Sequence, residues 1–433
     1  MNPLYRNDSP GVFPESWYAA TSDIPPQRPA LHGTVRADVA IVGAGYTGLT
    51  AALRLAQAGR KVVVLDAHRA GFGASGRNGG QVSSGFNWGQ KELAAKLGDG
   101  PARALWDASE QAKSDLRDAV ATHAPDARYI PGVAYGVYSD RARAKVHAEA
   151  DYLAQTYGYQ TEHLDRDAFQ AIVRAKPYAG GVLDMGAGHV HPLRYVLGLA
   201  RAAESAGVII YEASEVHRVV QGTPAKVQTG RGHVLADHVI LAGNGYLPGI
   251  SPAVAAKVMP INSFIGATAP LGDLADDILT RDIAVADEKF VVNYFRLSED
   301  RRLLFGGRES YSIGYPRDIK SALVARMLSL FPQLDGVAMD YVWGGTLGIT
   351  MTRLPALQRV APNVLSGAGF SGHGVALSGF AGRVMAEAVI GQTDRFDVMA
   401  KLPVPNFPGG TALRAPLLGL AMTWYGLRDR LGI

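Results

Sequence analysis

The residues best suited to chemistry begin with three glycines and an acid. Gly43, Gly45 and Gly48 form G-x-G-x-x-G, and Asp66 follows them. A dinucleotide needs these types in this order. Gly43 permits a tight turn. Gly45 has no Cβ, so a pyrophosphate can approach the main chain. Gly48 lets a helix pack close to a strand. Tyr46 and Thr47 stand at the helix start, where free N–H groups and a partial positive charge face phosphates. Asp66 would accept hydrogen bonds from a ribose.

Three further sets carry polar chemistry. Residues 71–81 read GFGASGRNGGQ, five glycines in eleven, so main chain there must approach something closely or adopt positive φ. Ser75, Arg77, Asn78, Gly79 and Gln81 line up along that loop. A second glycine-rich turn, Gly369-Phe370-Ser371-Gly372-His373-Gly374, opens another helical stripe whose N-terminus favours negative charge. His373 reads either as a group at a ligand or as a capping residue. The third set lies on the hairpin 289–310. Alternation puts Tyr294 and Arg296 on one face and Asn293 on the other. Arginine is the natural clamp for a carboxylate, because its planar fork pairs bidentately. Gly306-Gly307 leave space beside Arg308, with Arg296, Arg302, Arg353 and Arg77 as other candidates. Trp343-Gly344-Gly345 offers a bulky plane followed by room for close approach.

These groups need elements to hold them. Val39–Val42 and Lys61–Leu65 are β-branched runs of buried-strand length, and Leu49, Ala52, Leu53 and Ala56 mark one helical face between them. Helical patterns follow at 90–128, 140–175 and 193–206, with strands at 129–138, 180–185, 208–212, 214–220 and 239–243. Strand-like runs dominate 258–345 (258–268, 290–296, 302–308 and 341–345), interrupted by a helix over 318–330. His189 and His191 share a strand face, but no third ligand cluster is visible, and a turn before a helix starting near Pro192 is the better reading. No metal is expected. Leu413, Leu417, Leu420, Trp424, Leu427 and Leu431 form one stripe over 411–431, which reads as a docked or dimer-forming helix, or as one lying on a membrane surface.

Composition excludes several classes. A chain of 433 residues with 47% hydrophobic content has ample core. Net charge is +4 without a Lys/Arg-rich run, which argues against nucleic acid. There is no cysteine, hence no disulfide, thiolate metal site or cysteinyl link to a cofactor. The first twenty residues lack the basic start and apolar core of a signal peptide, and no uncharged apolar stretch of spanning length appears, so a cytoplasmic protein is expected.

Together G-A-G-Y-T-G (43–48), Asp66, G-A-S-G-R-N-G-G (73–80), the intact G-F-S-G-H-G (369–374) and the arm S-W-Y-A-A-T (16–21) resemble the FAD-dependent amine and amino-acid oxidases of the glycine oxidase, D-amino-acid oxidase and sarcosine oxidase superfamily, above all its γ-glutamylputrescine oxidase branch. The resemblance implies an α/β fold, α+β overall: a Rossmann-like FAD-binding domain (36–115, 188–255 and 345–400) interleaved with an antiparallel-sheet substrate domain (116–187 and 256–344). An N-terminal arm (1–35) and a C-terminal amphipathic helix (401–433) complete it. It implies FAD, held non-covalently because no cysteine exists and no histidine lies between Arg69 and Thr122. The 71–81 loop would run beneath phosphate and flavin ring, Val216 would touch adenine, and Ala242-Gly243 would return to the cofactor. Gly369, Gly372, His373 and Gly374 would face its pyrimidine end. Asn293, Tyr294, Arg308 and Trp343 would be the substrate-side residues.

The implied activity is oxidation of the C–N bond of a primary or secondary amine or amino acid bearing a remote or α-carboxylate, γ-glutamylputrescine-like, to an imine that hydrolyses to aldehyde or oxo acid, with oxygen as acceptor and hydrogen peroxide as product. Two positions depart from sarcosine oxidases. Leu304 stands where they carry a lysine that promotes reaction with oxygen, and Ala376 near where a lysine binds the sarcosine carboxylate. An alternative is therefore a membrane-associated dehydrogenase of a cyclic amino acid such as pipecolate or proline, passing electrons to quinone. A third reading is a flavoprotein subunit or binding module with little turnover alone, and a homo-oligomer through 411–431 is compatible with each.

Overall fold

The computed structural model describes residues 3–310 and 314–408. The stripe at 411–431 lies outside them. Among the described residues two sheets form. The first has eight strands, and its centre is the strand Gly33–Val42, which pairs in parallel with Val62–Leu65 on one side and Gly232–Leu241 on the other. Val39, Ala40, Ile41, Val63 and Val64 are fully buried, as apolar strands with covered faces should be. The helix Tyr46–Gln57 follows Gly43–Gly45 and packs on the helix Gly374–Val389. Their approach is close because a Cβ on Gly382 would sit 2.2 Å from the carbonyl of Thr47.

The second sheet has nine strands, antiparallel except where Ala284–Asp287 runs parallel to Ile130–Val137. It carries Met259–Thr268, Tyr294–Leu297, Leu303–Ser310 and Met339–Ile349. Its apolar face packs on the helix Lys320–Leu330 around Phe264, Phe295, Phe305 and Phe331.

Several expectations change. The helical run over 140–175 is two helices, Asp140–Tyr157 and Arg166–Ile172. Gly158 caps the first at φ 67°, and Glu162–Leu164 leaves to join the second sheet. The strand expected over 290–296 shrinks to Tyr294–Leu297. Asp287 draws the N–H groups of Lys289 and Asn293 to its Oδ1 at 3.2 and 2.9 Å, folding the stretch between them into a loop. The expected boundaries 115/116, 187/188 and 344/345 fall inside the helix Asp99–His123 and the strands Gly180–His189 and Met339–Ile349. That helix packs on the helices of the first sheet, while Met339–Ile349 and Gln81–Val82 belong to the second. The last described helix ends at Ala400, and 401–408 is not helical.

Candidate active site between the two sheets

A cavity of about 1510 Å3 runs between the sheets. At one end lie the glycines. Gly43 has φ 107°, and a Cβ there would meet the Ala242 carbonyl at 2.8 Å. A Cβ on Gly45 would meet Ser75 Oγ at 2.7 Å, and one on Gly48 the Gly43 carbonyl at 1.9 Å. Gly48 thus serves helix–strand packing and does not line the cavity, whereas Gly43, Gly45, Tyr46 and Thr47 do. Ser75 Oγ accepts the Tyr46 N–H at 3.1 Å, binding the 71–81 loop to the helix start. Asp66 lines the same end; its Oδ2 accepts from Ala44 and its Oδ1 from His68, at 2.8 and 2.9 Å. Burial pushes its carboxyl up, against those two N–H groups. Val216, Ala242 and Gly243 complete this end. Asn244, at φ 46°, ties its own turn to the turn 369–374 through Oδ1, which accepts the Gly369 N–H at 2.9 Å.

The arm closes over this end, a role not legible in its sequence. Leu4 lines the cavity. His68 sits between Tyr5 and Phe72, its Nδ1 accepting from the Gly11 N–H at 3.0 Å and its Nε2 facing the Leu4 carbonyl at 2.9 Å. Asp8 pairs with Arg77 at 2.8 Å, and Tyr5 donates to Glu215 at 2.7 Å. Trp17 and Tyr18 are buried and anchor the arm.

The middle of the cavity is walled by Asn78, Gly79 and Gln81. Asn78 Nδ2 holds the Ala74 and Ser75 carbonyls, and Gln81 Nε2 donates to the Val285 carbonyl at 2.8 Å. Arg77 also lines it, but its Nε and Nη1 are spent on Phe72, Gly344 and Asp8. Arg296 is buried against main-chain carbonyls, which removes it as a substrate clamp. Trp343 is buried as well. Its Nε1 donates to the Arg77 carbonyl at 3.0 Å and its ring packs on Tyr18, so it supports the wall from behind.

At the far end Tyr294 lines the cavity with Ser263 and Thr346. Neither Ser263 nor Thr346 carries a sequence signal beyond its strand. Asn293 lies in the 288–293 loop, before the strand begins, and donates to Asp287 Oδ2 at 2.6 Å. That places it outside the cavity wall. Arg308 stands in register with Phe264, just past a bulge at Gly307, and its side chain lies outside the described residues. Leu304 is buried and apolar.

The turn 369–374 delivers Gly372, His373 and Gly374 to the wall, while Gly369, at φ 77°, packs on Thr350 beneath it. His373 makes no side-chain cap bond. Its Nε2 is buried without a well-aligned hydrogen-bond partner, and burial pushes its imidazole down to about 4, so it is neutral. Behind it sits a network that the sequence hides. Lys113 is buried, donates to Ser84 Oγ and Tyr159 OH at 2.6 and 2.9 Å, and pairs with Glu110; Ser84 and Tyr159 in turn donate to Asp184. A lysine in the apolar register Leu105, Ser109, Ala112 and Leu116 was the available signal. His189 and His191 do not converge: His189 faces Asp282 at 3.3 Å, and His191 caps the helix Pro192–Ser205. No described helix is long and apolar enough to cross a membrane.

These residues fit FAD. Gly43 and Gly45 present bare main chain to the cavity, and unsatisfied buried donors or acceptors, Arg77 Nη2 and His373 Nε2, belong to cavity-lining residues further along. Comparison with known proteins agrees. The model of the FAD dependent oxidoreductase (DAO) family matches residues 38–388. The chain is 41% identical to a probable oxidoreductase, OrdL, of Rhizobium meliloti over 98% of either chain. It is 38% identical to the gamma-glutamylputrescine oxidoreductase of Escherichia coli, covering 96% of this chain and 99% of that one. Glycine oxidase from Geobacillus kaustophilus shares the fold, with a TM-score of 0.68 at 22% identity over 82% of this chain and 95% of that one. L-Amino acid deaminase from Proteus myxofaciens does too, with a TM-score of 0.69 at 18% identity over 90% of this chain and 96% of that one.

Proposed function

The chain belongs to the family of FAD dependent oxidoreductases, and from that premise we propose that it oxidises the C–N bond of a small amine of the γ-glutamylputrescine kind. The product is an imine, which water hydrolyses to an aldehyde or oxo acid. The relative named gamma-glutamylputrescine oxidoreductase supports this substrate class. FAD, when bound, supplies the acceptor for a hydride from the carbon beside nitrogen. The observation that carries the reading is continuity: one cavity joins the dinucleotide cradle to a chamber walled by Tyr294, Ser263 and Thr346.

The residues of the chamber orient rather than react. Burial pushes the Tyr294 phenol up, so it stays protonated at neutral pH and acts as a hydrogen-bonding wall, 3.4 Å from Ser263 Oγ. Gln81 spends its amide N–H on Val285, leaving Oε1 to accept from a substrate N–H. The amine's surplus proton goes to solvent before reaction, since a protonated amine has no lone pair to assist hydride loss. Holding the α-carbon in place and excluding bulk water is the protein's main contribution.

We assign oxygen as the acceptor, giving hydrogen peroxide. A quinone is the second reading, favoured by the buried, neutral Leu304. The deciding experiment is anaerobic bleaching of the bound flavin by a panel of amines and amino acids, followed by readmission of oxygen. Rapid bleaching by an extended primary amine supports the proposal; bleaching by proline or pipecolate alone would replace it with the dehydrogenase reading.

A further inference from the structure

Beyond the chamber the cavity opens to a rim whose charges are unevenly satisfied. Three cations line it: Lys96, Lys289 and Arg353. Each rests on an aromatic ring, at 4.1 Å on Trp88, 4.4 Å on Tyr138 and 4.6 Å on Phe290. Lys96 is neutralised by Glu92 at 2.9 Å. Lys289 and Arg353 have no carboxylate partner among the described residues. Acids on the same wall are already engaged, Glu149 with the Gln90 N–H at 2.6 Å and Glu288 with the Tyr138 N–H at 2.7 Å.

Arg353 is the more committed of the two cations. Its main chain is held at φ 60°, a left-handed conformation that costs energy in a residue with a side chain and marks functional sites. Two bonds fix the loop that carries it: Asn87 Nδ2 donates to the Arg353 carbonyl and Trp88 Nε1 to the Thr352 carbonyl, both at 2.8 Å. The main chain that carries the guanidinium is therefore fixed at the rim, and the head group rests on one ring face with no hydrogen-bond partner among the described residues.

We propose that Arg353, assisted by Lys289, is the receptor for a carboxylate at the far end of the substrate, and that this enzyme selects amines whose carboxylate is remote from the oxidised carbon. The strand Met339–Ile349 sets the distance. Thr346 lies in the chamber, and the rise from Thr346 to Ile349 alone is about 10 Å at ~3.3 Å per residue. Arg353 follows through the turn 350–353, where its N–H donates to the Thr350 carbonyl at 3.2 Å, so it stands at the rim end of this strand and not in the chamber, within reach of a carboxylate at the end of an extended chain. This inference rests on the amine-oxidising reading and narrows it.

The test compares γ-glutamylputrescine and 5-aminovalerate with putrescine, glycine and proline, using anaerobic flavin bleaching and steady-state kinetics. The variant is Arg353→Asn, because asparagine tolerates left-handed φ. For the remote-carboxylate amines KM should rise roughly 30- to 100-fold with kcat within about threefold, the pattern of lost ground-state binding. Their selectivity ratio over putrescine should fall by the same factor, Arg353→Lys should restore part of it, and Lys289→Gln should lower it less. A ratio within twofold of the parent in Arg353→Asn would overturn the assignment. So would a ratio that survives there and collapses in Arg308→Ala, or a parent enzyme that prefers glycine or proline. If no amine bleaches the flavin, the amine reading fails and this inference with it; bleaching without carboxylate preference defeats the inference alone.

Discussion

Arg296 donates from Nε to the carbonyl of Gly79 at 3.0 Å, clamping the loop that walls the middle of the cavity to the second sheet. Its remaining donors reach Leu297, Val190 and the Tyr18 hydroxyl. Replacing this buried guanidinium strands several main-chain acceptors. Arg296→Met should destabilise the protein by about 2–4 kcal/mol, the cost of leaving buried polar partners unsatisfied, and should lower flavin occupancy. Denaturant unfolding with absorbance at the flavin band measures both. A stable, fully yellow variant would return Arg296 to the list of substrate clamps.

Flavin should leave the protein intact. Acid precipitation should release all of it as FAD, since there is no cysteine to hold it. Asp66→Ala should weaken FAD binding by ~1.5–3 kcal/mol, the scale for hydrogen bonds to a charged group. Asp66 also accepts from Ala44 and His68, so Asp66→Asn is the informative companion: it keeps the shape and loses the charge. Unchanged dissociation constants in both would remove the ribose assignment.

The strap formed by the arm should govern how fast FAD escapes. Neutral His68 accepts the Gly11 N–H through Nδ1, and burial pushes its imidazole below the usual range; protonating Nδ1 breaks that bond. Asp66, Asp8 and Arg77 are the charges that face it. FAD release should therefore quicken only at a pH below the ordinary histidine value of about 6.5, because the folded imidazole takes up its proton later than a free one, and Asp8→Asn should quicken it at every pH. Release followed by flavin fluorescence checks this; a rate flat from pH 8 to 5 in the parent protein argues against the strap.

His189 gives a stability prediction with a definite sign. Burial pushes its imidazole down to about 4, so the folded state holds it neutral. Above the unfolded value near 6.5 neither state binds the proton, and its contribution is fully present. As pH falls from about 6.5 to about 4 only the unfolded chain binds it, and stability is lost, by ~3 kcal/mol at ~1.4 kcal/mol per unit. His189→Gln should flatten that part of the curve. Equal slopes in both proteins would show that His189 is not the group responsible.

The acceptor can be settled by stopped flow. A positive charge a few ångströms from developing superoxide is worth ~4 kcal/mol at an effective dielectric near 20. Arg77 is committed to Asp8, Phe72 and Gly344, Arg296 is bound to main-chain carbonyls and Leu304 is apolar, so Arg308 is the hairpin cation to test first. Oxygen should react with the reduced enzyme faster than with free flavin, and Arg308→Met should slow it. A constant no faster than free flavin's, beside rapid reduction of a quinone analogue, would favour the dehydrogenase.

The amino-acid sequence alone determined the dinucleotide end. Strand, glycine turn, helix, strand and Asp66 lie within one contiguous stretch, and their jobs follow from backbone sterics and the helix terminus, which are local properties. The turn at 369–374 was legible for the same reason. What only the tertiary structure decided involves groups far apart in the chain. Arginine type does not reveal whether its partner is a substrate or a carbonyl over two hundred residues away, as with Arg296 and Gly79. Nor could alternation survive Asp287, whose side chain outcompetes the sheet for the N–H groups of Lys289 and Asn293 and turns an expected strand into the loop that carries Phe290. The arm over His68, the lysine buried behind His373 and the place of Arg353 on the Phe290 ring at the rim all depend on which distant surfaces meet, and periodicity carries no information about that.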